Sequence, residues 1–272
     1  MGRLAATFIN VNDRCNMECP DCYHRPNNTA PDYSVDEIMR VAKMVTKPYI
    51  AMLGAEPTMR HDLASLIPAM AKETGKLVGI FTNGLKLASR EYVDGLAKAG
   101  LDYACLSLHL PDYTTAKHHE LKLKALDNVV GSGIKLGHVA FCVNKLADIG
   151  RALDASFSVP MTDNTYFRIR APGRIGNDPG CGFSLSDIVV EFFNCLKERG
   201  LHGEVQKGSH PYMLIVQVNG RNYFLLRWPS IEELDLEEIK LCTARGLLVP
   251  ELGETPLMHH VHVWAQRRLA HA

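Results

Sequence analysis

Short apolar runs alternate with longer amphipathic stretches along most of this chain. The short runs, rich in β-branched and aromatic residues, predict strands over 5–11, 49–54, 77–82, 102–109, 136–143 and 164–170. Between them, helical periodicity predicts helices near 34–46, 62–74, 88–99, 114–131 and 146–157, and another near 184–199. Start signals mark three of these: Ser34 with Glu37 three residues on, Asp62 before LASLIPAMA, and Ser184 with Asp187. Such β–α alternation predicts a parallel sheet with helical crossovers, either doubly wound or an incomplete βα barrel. Beyond residue 200 the pattern changes. YMLIVQV and NYFLLRW flank Asn219-Gly220, a strong hairpin signal, and an acidic IEELDLEEIK precedes a last helical stretch near 257–269. Residues 1–200 therefore read as the βα unit, and 201–272 as a small α+β subdomain that would cover its mouth.

Alternation within the strands sorts their faces. Ile9, Val11, Leu106, Leu108, Val139, Phe141, Val143, Phe167 and Ile169 fall on the side that would pack under helices. Asn10, Asn12, Cys105, Ser107, His109, His138, Ala140, Cys142, Asn144, Tyr166, Arg168 and Arg170 then face inward. Buried polar groups are costly unless paired, so this inner face predicts a wet cavity holding a polar ligand. Two inward arginines call for anionic partners, and residues near the strand C-termini are the best placed to meet a ligand.

Composition narrows the classes. The 272 residues suffice for one large domain with a small appendage, and Lys plus Arg (30) balances Asp plus Glu (30). Nothing in this charge predicts a nucleic-acid or membrane-surface partner. MGRLAATFINVN lacks the apolar core of a signal peptide, Ala6 fails the myristoylation pattern, and no apolar stretch reaches membrane-spanning length. A cytoplasmic protein is expected.

Of the eight cysteines, Cys15, Cys19 and Cys22 stand together in CNMECPDC, directly after the first strand. In a reducing compartment this clustering points to metal rather than disulfides. Three thiolates on one loop suit an iron–sulfur cubane with its fourth iron left open. With His24 the same cysteines would also make a structural zinc site of Cys3His type, and hence a zinc-stabilised binding module. Cys181, Cys195 and Cys242 are widely spaced, and His259, His260 and His262 read as a surface feature.

The C-x3-C-x2-C loop is similar to the signature of the radical S-adenosylmethionine (SAM) superfamily. Gly54-Ala55-Glu56-Pro57 resembles that family's Gly-Gly-Glu-Pro-like motif at the end of the second strand. Thr82-Asn83-Gly84 closes the third strand, and LSLHLPD stands where relatives often carry an LS-x-D type sequence. The resemblance spans about residues 5–170. It implies an incomplete (β/α)6 barrel, one 4Fe–4S cluster on Cys15, Cys19 and Cys22, and SAM chelated by the open iron. It also implies reductive cleavage to a 5′-deoxyadenosyl radical, fed by an external electron donor such as flavodoxin or ferredoxin. Cofactor contacts are expected from Tyr23, Gly54, Ala55, Glu56, Asn83, Ser107, Asn144 and Arg168, with Glu56 accepting from the SAM amino group and Tyr23 offering a ring to the adenine. Asn10, Asn12, His109, His138, Tyr166 and Arg170 are the expected contacts of a small, polar, anionic substrate. Cys142 and His109 are candidate catalytic groups, Cys142 as a hydrogen-atom donor like that of radical epimerases. A peptide-modifying member of the same superfamily is the alternative.

Overall fold

The computed structural model describes residues 6–19, 22, 26–45, 47–162, 165–171, 182–206 and 213–227. Six βα repeats run in order. The strands are β1 (Ala6–Asn10), β2 (Tyr49–Leu53), β3 (Leu77–Thr82), β4 (Tyr103–Ser107), β5 (Lys135–Cys142) and β6 (Tyr166–Ala171). The helices that follow them are α1 (Val35–Met44), α2 (Leu63–Thr74), α3 (Arg90–Lys98), α4 (Ala116–Val130), α5 (Asp148–Phe157) and α6 (Leu185–Glu198). Sequential parallel pairing from β1 to β6 gives the incomplete (β/α)6 barrel rather than the doubly wound sheet. A three-stranded antiparallel piece follows: β7 (Glu204–Val205), β8 (Met213–Val218) and β9 (Arg221–Arg227). The β8–β9 hairpin turns at Asn219 (φ 47°) and Gly220 (φ 77°), the positive-φ pair that a two-residue turn requires.

This hairpin does not stand apart from the βα unit. Strand β9 pairs parallel with β6 from Tyr166↔Asn222 to Ala171↔Arg227, so one nine-stranded sheet runs β1-β2-β3-β4-β5-β6-β9-β8-β7. IEELDLEEIK, the 257–269 stretch, His259, His260 and His262 lie outside the described residues, as do Cys181, Cys242, Tyr23 and His24.

Local chemistry sets the helix starts. Ser34 with Glu37 and Ser184 with Asp187 both close capping boxes. Asp62 sits at the cap position of α2 but makes no cap bond; its carboxylate instead takes both arms of Arg60, at 2.9 and 2.7 Å. The outward-facing residues Ile9, Val139, Phe141, Phe167 and Ile169 are fully buried beneath the helices.

The interior differs from the uniformly polar lining expected. Its lower layer is apolar and aromatic: Phe8, Ala51, Leu53, Tyr103 and Cys105 pack with Tyr49 and Phe81. Tyr103 crosses this floor to donate its hydroxyl to Ile50 O at 2.9 Å. Its ring lies so close over Gly79 that a Cβ there would sit 2.2 Å away. Beside it Phe81, His138, Tyr166 and Phe224 form a chain of ring contacts at 4.8–5.7 Å. Alternation put Cys105, His138 and Tyr166 on a polar inner face; the large rings of neighbouring strands pack around them and fill the barrel below its mouth instead.

Candidate active site

Above the floor, at the C-terminal ends of the strands, opens a cavity enclosing about 1040 Å³ of space continuous with solvent. The strand ends carry the expected side chains to it. Ser107 and His109 come from the end of β4, Ala140, Cys142 and His138 from β5, and Arg168 and Arg170 from β6. The loop after β1 brings Cys15, Met17, Cys19 and Cys22; the loop after β2 brings Gly54, Ala55 and Glu56; Asn83 follows β3.

Four expected residues fall elsewhere. Asn10 and Asn12 are buried at the end of β1 as framework, Tyr166 belongs to the aromatic floor, and Asn144 is exposed beyond β5. Asn144 Oδ1 still stands 3.7 Å from Cys142 Sγ, and Arg170 Nη2 donates to the same sulfur at 3.3 Å.

The cysteine loop starts from a braced base. Arg14 grips Asp32 with two bonds, at 3.0 and 2.7 Å, and donates to Met59 O at 3.0 Å. Arg60, nearly buried, donates to Val11 O and Tyr33 O, both at 2.7 Å. All three thiols are half-buried at the cavity rim. Burial pushes the Cys15 thiol up to about 11, against the lowering effect of a bond from Met17 N at 3.4 Å and one from Asn83 Nδ2 at 3.7 Å. A bound metal removes a thiol proton outright, so this rise does not oppose ligation.

Among the described residues no three His, Cys, Asp or Glu side chains gather around a single ion. A cubane asks for something else, because each cysteine binds a different iron. Three separated thiols rimming one cavity, with N–H donors aimed at a sulfur, fit that group.

Glu56 is fully buried and heavily bonded. Its Oε1 accepts from Thr58 N (3.1 Å), Thr58 Oγ1 (2.6 Å) and Thr82 Oγ1 (2.6 Å), while Oε2 accepts from Asn83 N (2.7 Å). Burial raises its pKa, and these four donors pull the other way. Oε2 thus carries one bond against three on Oε1, which leaves it room for a further donor.

Gly54 touches the Asn framework: a Cβ there would lie 2.4 Å from both Asn12 O and Asn12 Oδ1, and 3.0 Å from Asn10 Oδ1. Ala55, the departure from a second glycine, is outside the positive-φ residues and so costs nothing in backbone strain.

His109 lies past the end of β4, not within it as expected, and adopts φ 58°. That conformation is uncommon for a non-glycine residue and clusters at functional sites. Burial drives its pKa well below the usual range, with Lys122 and Arg170 adding to the effect. His138 is pushed down to about 3, first by burial and then by Arg168. Both are neutral imidazoles, and the Nδ1 of each is buried without a hydrogen-bond partner among the described residues.

Sequence reasoning missed Lys122, which is buried on α4 and holds Ser107 O at 2.8 Å, and the hydroxyls of Thr58 and Thr82. Lys122 carried no signal, since its helix reads as amphipathic. Thr82, inside the Thr-Asn-Gly run, did.

A parallel partial barrel with three thiols and a Gly-Ala-Glu loop at its C-terminal mouth defines a class of radical enzymes. The chain belongs to the Radical SAM superfamily, whose family model matches residues 9–153. It is thus a radical SAM enzyme, and the cofactors of that family are a 4Fe–4S cluster and SAM. Among its relatives, an Fe-coproporphyrin III synthase of Methanosarcina barkeri is 29% identical over 235 residues, covering 77% of this chain and 58% of that protein. A GTP 3′,8-cyclase of Staphylococcus carnosus is 27% identical over 229 residues, covering 73% and 65%. The chain thus spans less than two thirds of the length of these relatives. The crystal structure of Streptococcus suis SuiB shares the fold, with a TM-score of 0.56 at 18% identity, over 72% of this chain and 47% of that one. No described helix is long and apolar enough to cross a membrane.

Proposed function

We propose that this enzyme abstracts hydrogen from a small, polar, anionic molecule held inside the barrel, using Cys15, Cys19 and Cys22 as the cluster ligands. The observation that carries the reading is a single cavity lined by the three thiols together with Arg168 and Arg170 in its wall. When bound, the cluster and SAM supply a 5′-deoxyadenosyl radical. The chain's own residues position and shield. Gly54, Ala55 and Glu56 shape the loop beside the thiols, and the free lone pair on Glu56 Oε2 suits an ammonium donor. Arg168, lying 5.9 Å over the Phe81 ring, is placed to meet a carboxylate near the cluster side. Arg170 and neutral His109 and His138 would hold the substrate's anionic and hydrogen-bonding groups. A relative named for GTP, a polyanion, agrees with arginines on this wall. Reduction from outside would come from a flavodoxin- or ferredoxin-type donor.

Anaerobic reconstitution tests this reading. The wild-type chain should hold about four irons and release 5′-deoxyadenosine from SAM on reduction. Cys19→Ala should lose both. A colourless chain carrying only zinc, or a Cys19→Ala variant that still cleaves SAM, would refute it.

A further inference from the structure

The loops at the barrel mouth close a ring of polar contacts that ends on one sulfur. Asn12 Nδ2 donates to Glu56 O at 2.8 Å, and Asn12 O accepts from Ala55 N at 3.2 Å. Glu56 Oε2 accepts the main-chain N–H of Asn83 at 2.7 Å. The Asn83 side chain then turns back across the rim. Its Oδ1 accepts from Leu85 N at 3.0 Å, while its Nδ2 reaches Asn16 Oδ1 at 2.8 Å and Cys15 Sγ at 3.7 Å.

The amide can sit only one way round. Leu85 N is an obligate donor and Asn16 Oδ1 accepts, so a flipped Asn83 would set N–H against N–H and oxygen against oxygen. The amide N–H is therefore committed to the Cys15 side. Glu56 fixes the backbone of Asn83 and Leu85 fixes its side chain, so this donor is held in place before any metal arrives.

We propose that Asn83 tunes the cluster, its side-chain N–H at the Cys15 sulfur raising the reduction potential and so setting how readily SAM cleavage begins. It rests on the reading of Cys15 as a cluster ligand. Hydrogen bonds to ligand sulfurs are among the determinants of iron–sulfur potentials. A donor there favours the reduced cluster, because the added electron increases negative charge on the sulfurs and the N–H dipole offsets it. Asn83 is on this account a positioning residue, acting through Cys15.

The test is an EPR-monitored redox titration of the reconstituted full chain without SAM. Asn83→Asp keeps the Oδ1 acceptor for Leu85 N and removes the donor; Asn83→Ala removes the donor and adds no charge. Both should keep about four irons, with midpoints moved to more negative potential. We expect about a tenfold change in the one-electron equilibrium, or about 59 mV, for Asn83→Asp, and a smaller shift of the same sign for Asn83→Ala. Asn16→Ala removes the amide's other partner and leaves the donor on Cys15, so its midpoint should match wild type. Wild-type midpoints in both Asn83 variants would overturn the proposal. So would an equal shift in Asn16→Ala, which would trace the effect to loop disturbance, or failure of only the Asn83 variants to assemble a cluster, which would make Asn83 an assembly residue. A wild-type chain that takes up no iron would instead defeat the cluster reading itself.

Discussion

His138 and His109 show what a low-dielectric wall does to an imidazole. Both are held neutral chiefly by burial, His138 with a pKa of about 3. An unfolded histidine titrates near ~6.5, so the unfolded chain takes up a proton that the folded chain refuses. Both folded pKa values are depressed, so the contribution to stability is complete above the unfolded value and is lost as pH falls from there, for His138 toward about 3. Each adds a slope of up to about 1.4 kcal/mol per pH unit in that window. Urea unfolding of the cluster-free chain at a series of acidic pH values should show this, and His138→Leu should flatten the slope by one histidine's share. Gly54 makes a complementary case. Any Cβ there must displace the Asn12 backbone oxygen 2.4 Å away, so Gly54→Ala should cost about 1–3 kcal/mol in thermal denaturation.

Two glycines separate what an element tolerates from what its neighbours allow. Gly95 lies inside α3 with nothing within 4 Å of an added Cβ, so Gly95→Ala should stabilise by about 0.5–1 kcal/mol. Gly79 in β3 faces the Tyr103 ring, and Gly79→Ala should lower the melting temperature instead. Neither outcome is visible in the sequence, where both are lone glycines inside regular elements. What was legible is local. The capping boxes at Ser34 and Ser184, the Asn219-Gly220 turn and the faces of β4, β5 and β6 follow from spacing of a few residues. The cysteine triplet was legible for the same reason. What was not legible depends on a second strand. Register between β4 and β5 shifts between Ala104↔Leu136 and Leu106↔Val139, so Gly137 and His138 together oppose Cys105. That extra residue lets Leu136 and Val139 both pack under the helices while His138 still faces in. Glu56 is similar: its motif marked it, yet its partners come from the loop after β2 and the end of β3, and only the folded sheet joins them.

Across the whole molecule, the hairpin beyond residue 212 is welded to the barrel through Tyr223. This side chain is fully buried, stacks on Phe167 at 5.4 Å, meets the tilted ring of Phe192 at 5.2 Å, and shares a 2.7 Å hydrogen bond with Ser156 Oγ. Tyr223→Phe should cost only about 1 kcal/mol, because Ser156 Oγ still bonds Leu153 O at 2.6 Å. Tyr223→Ala should cost about 3–5 kcal/mol and unfold barrel and hairpin in one transition by circular dichroism. At the other end of the barrel Tyr103 lies across Gly79 and reaches Ile50, stoppering the interior from below. Among the described residues the cavity is thus closed below by packed rings and lined above by the cysteine loop.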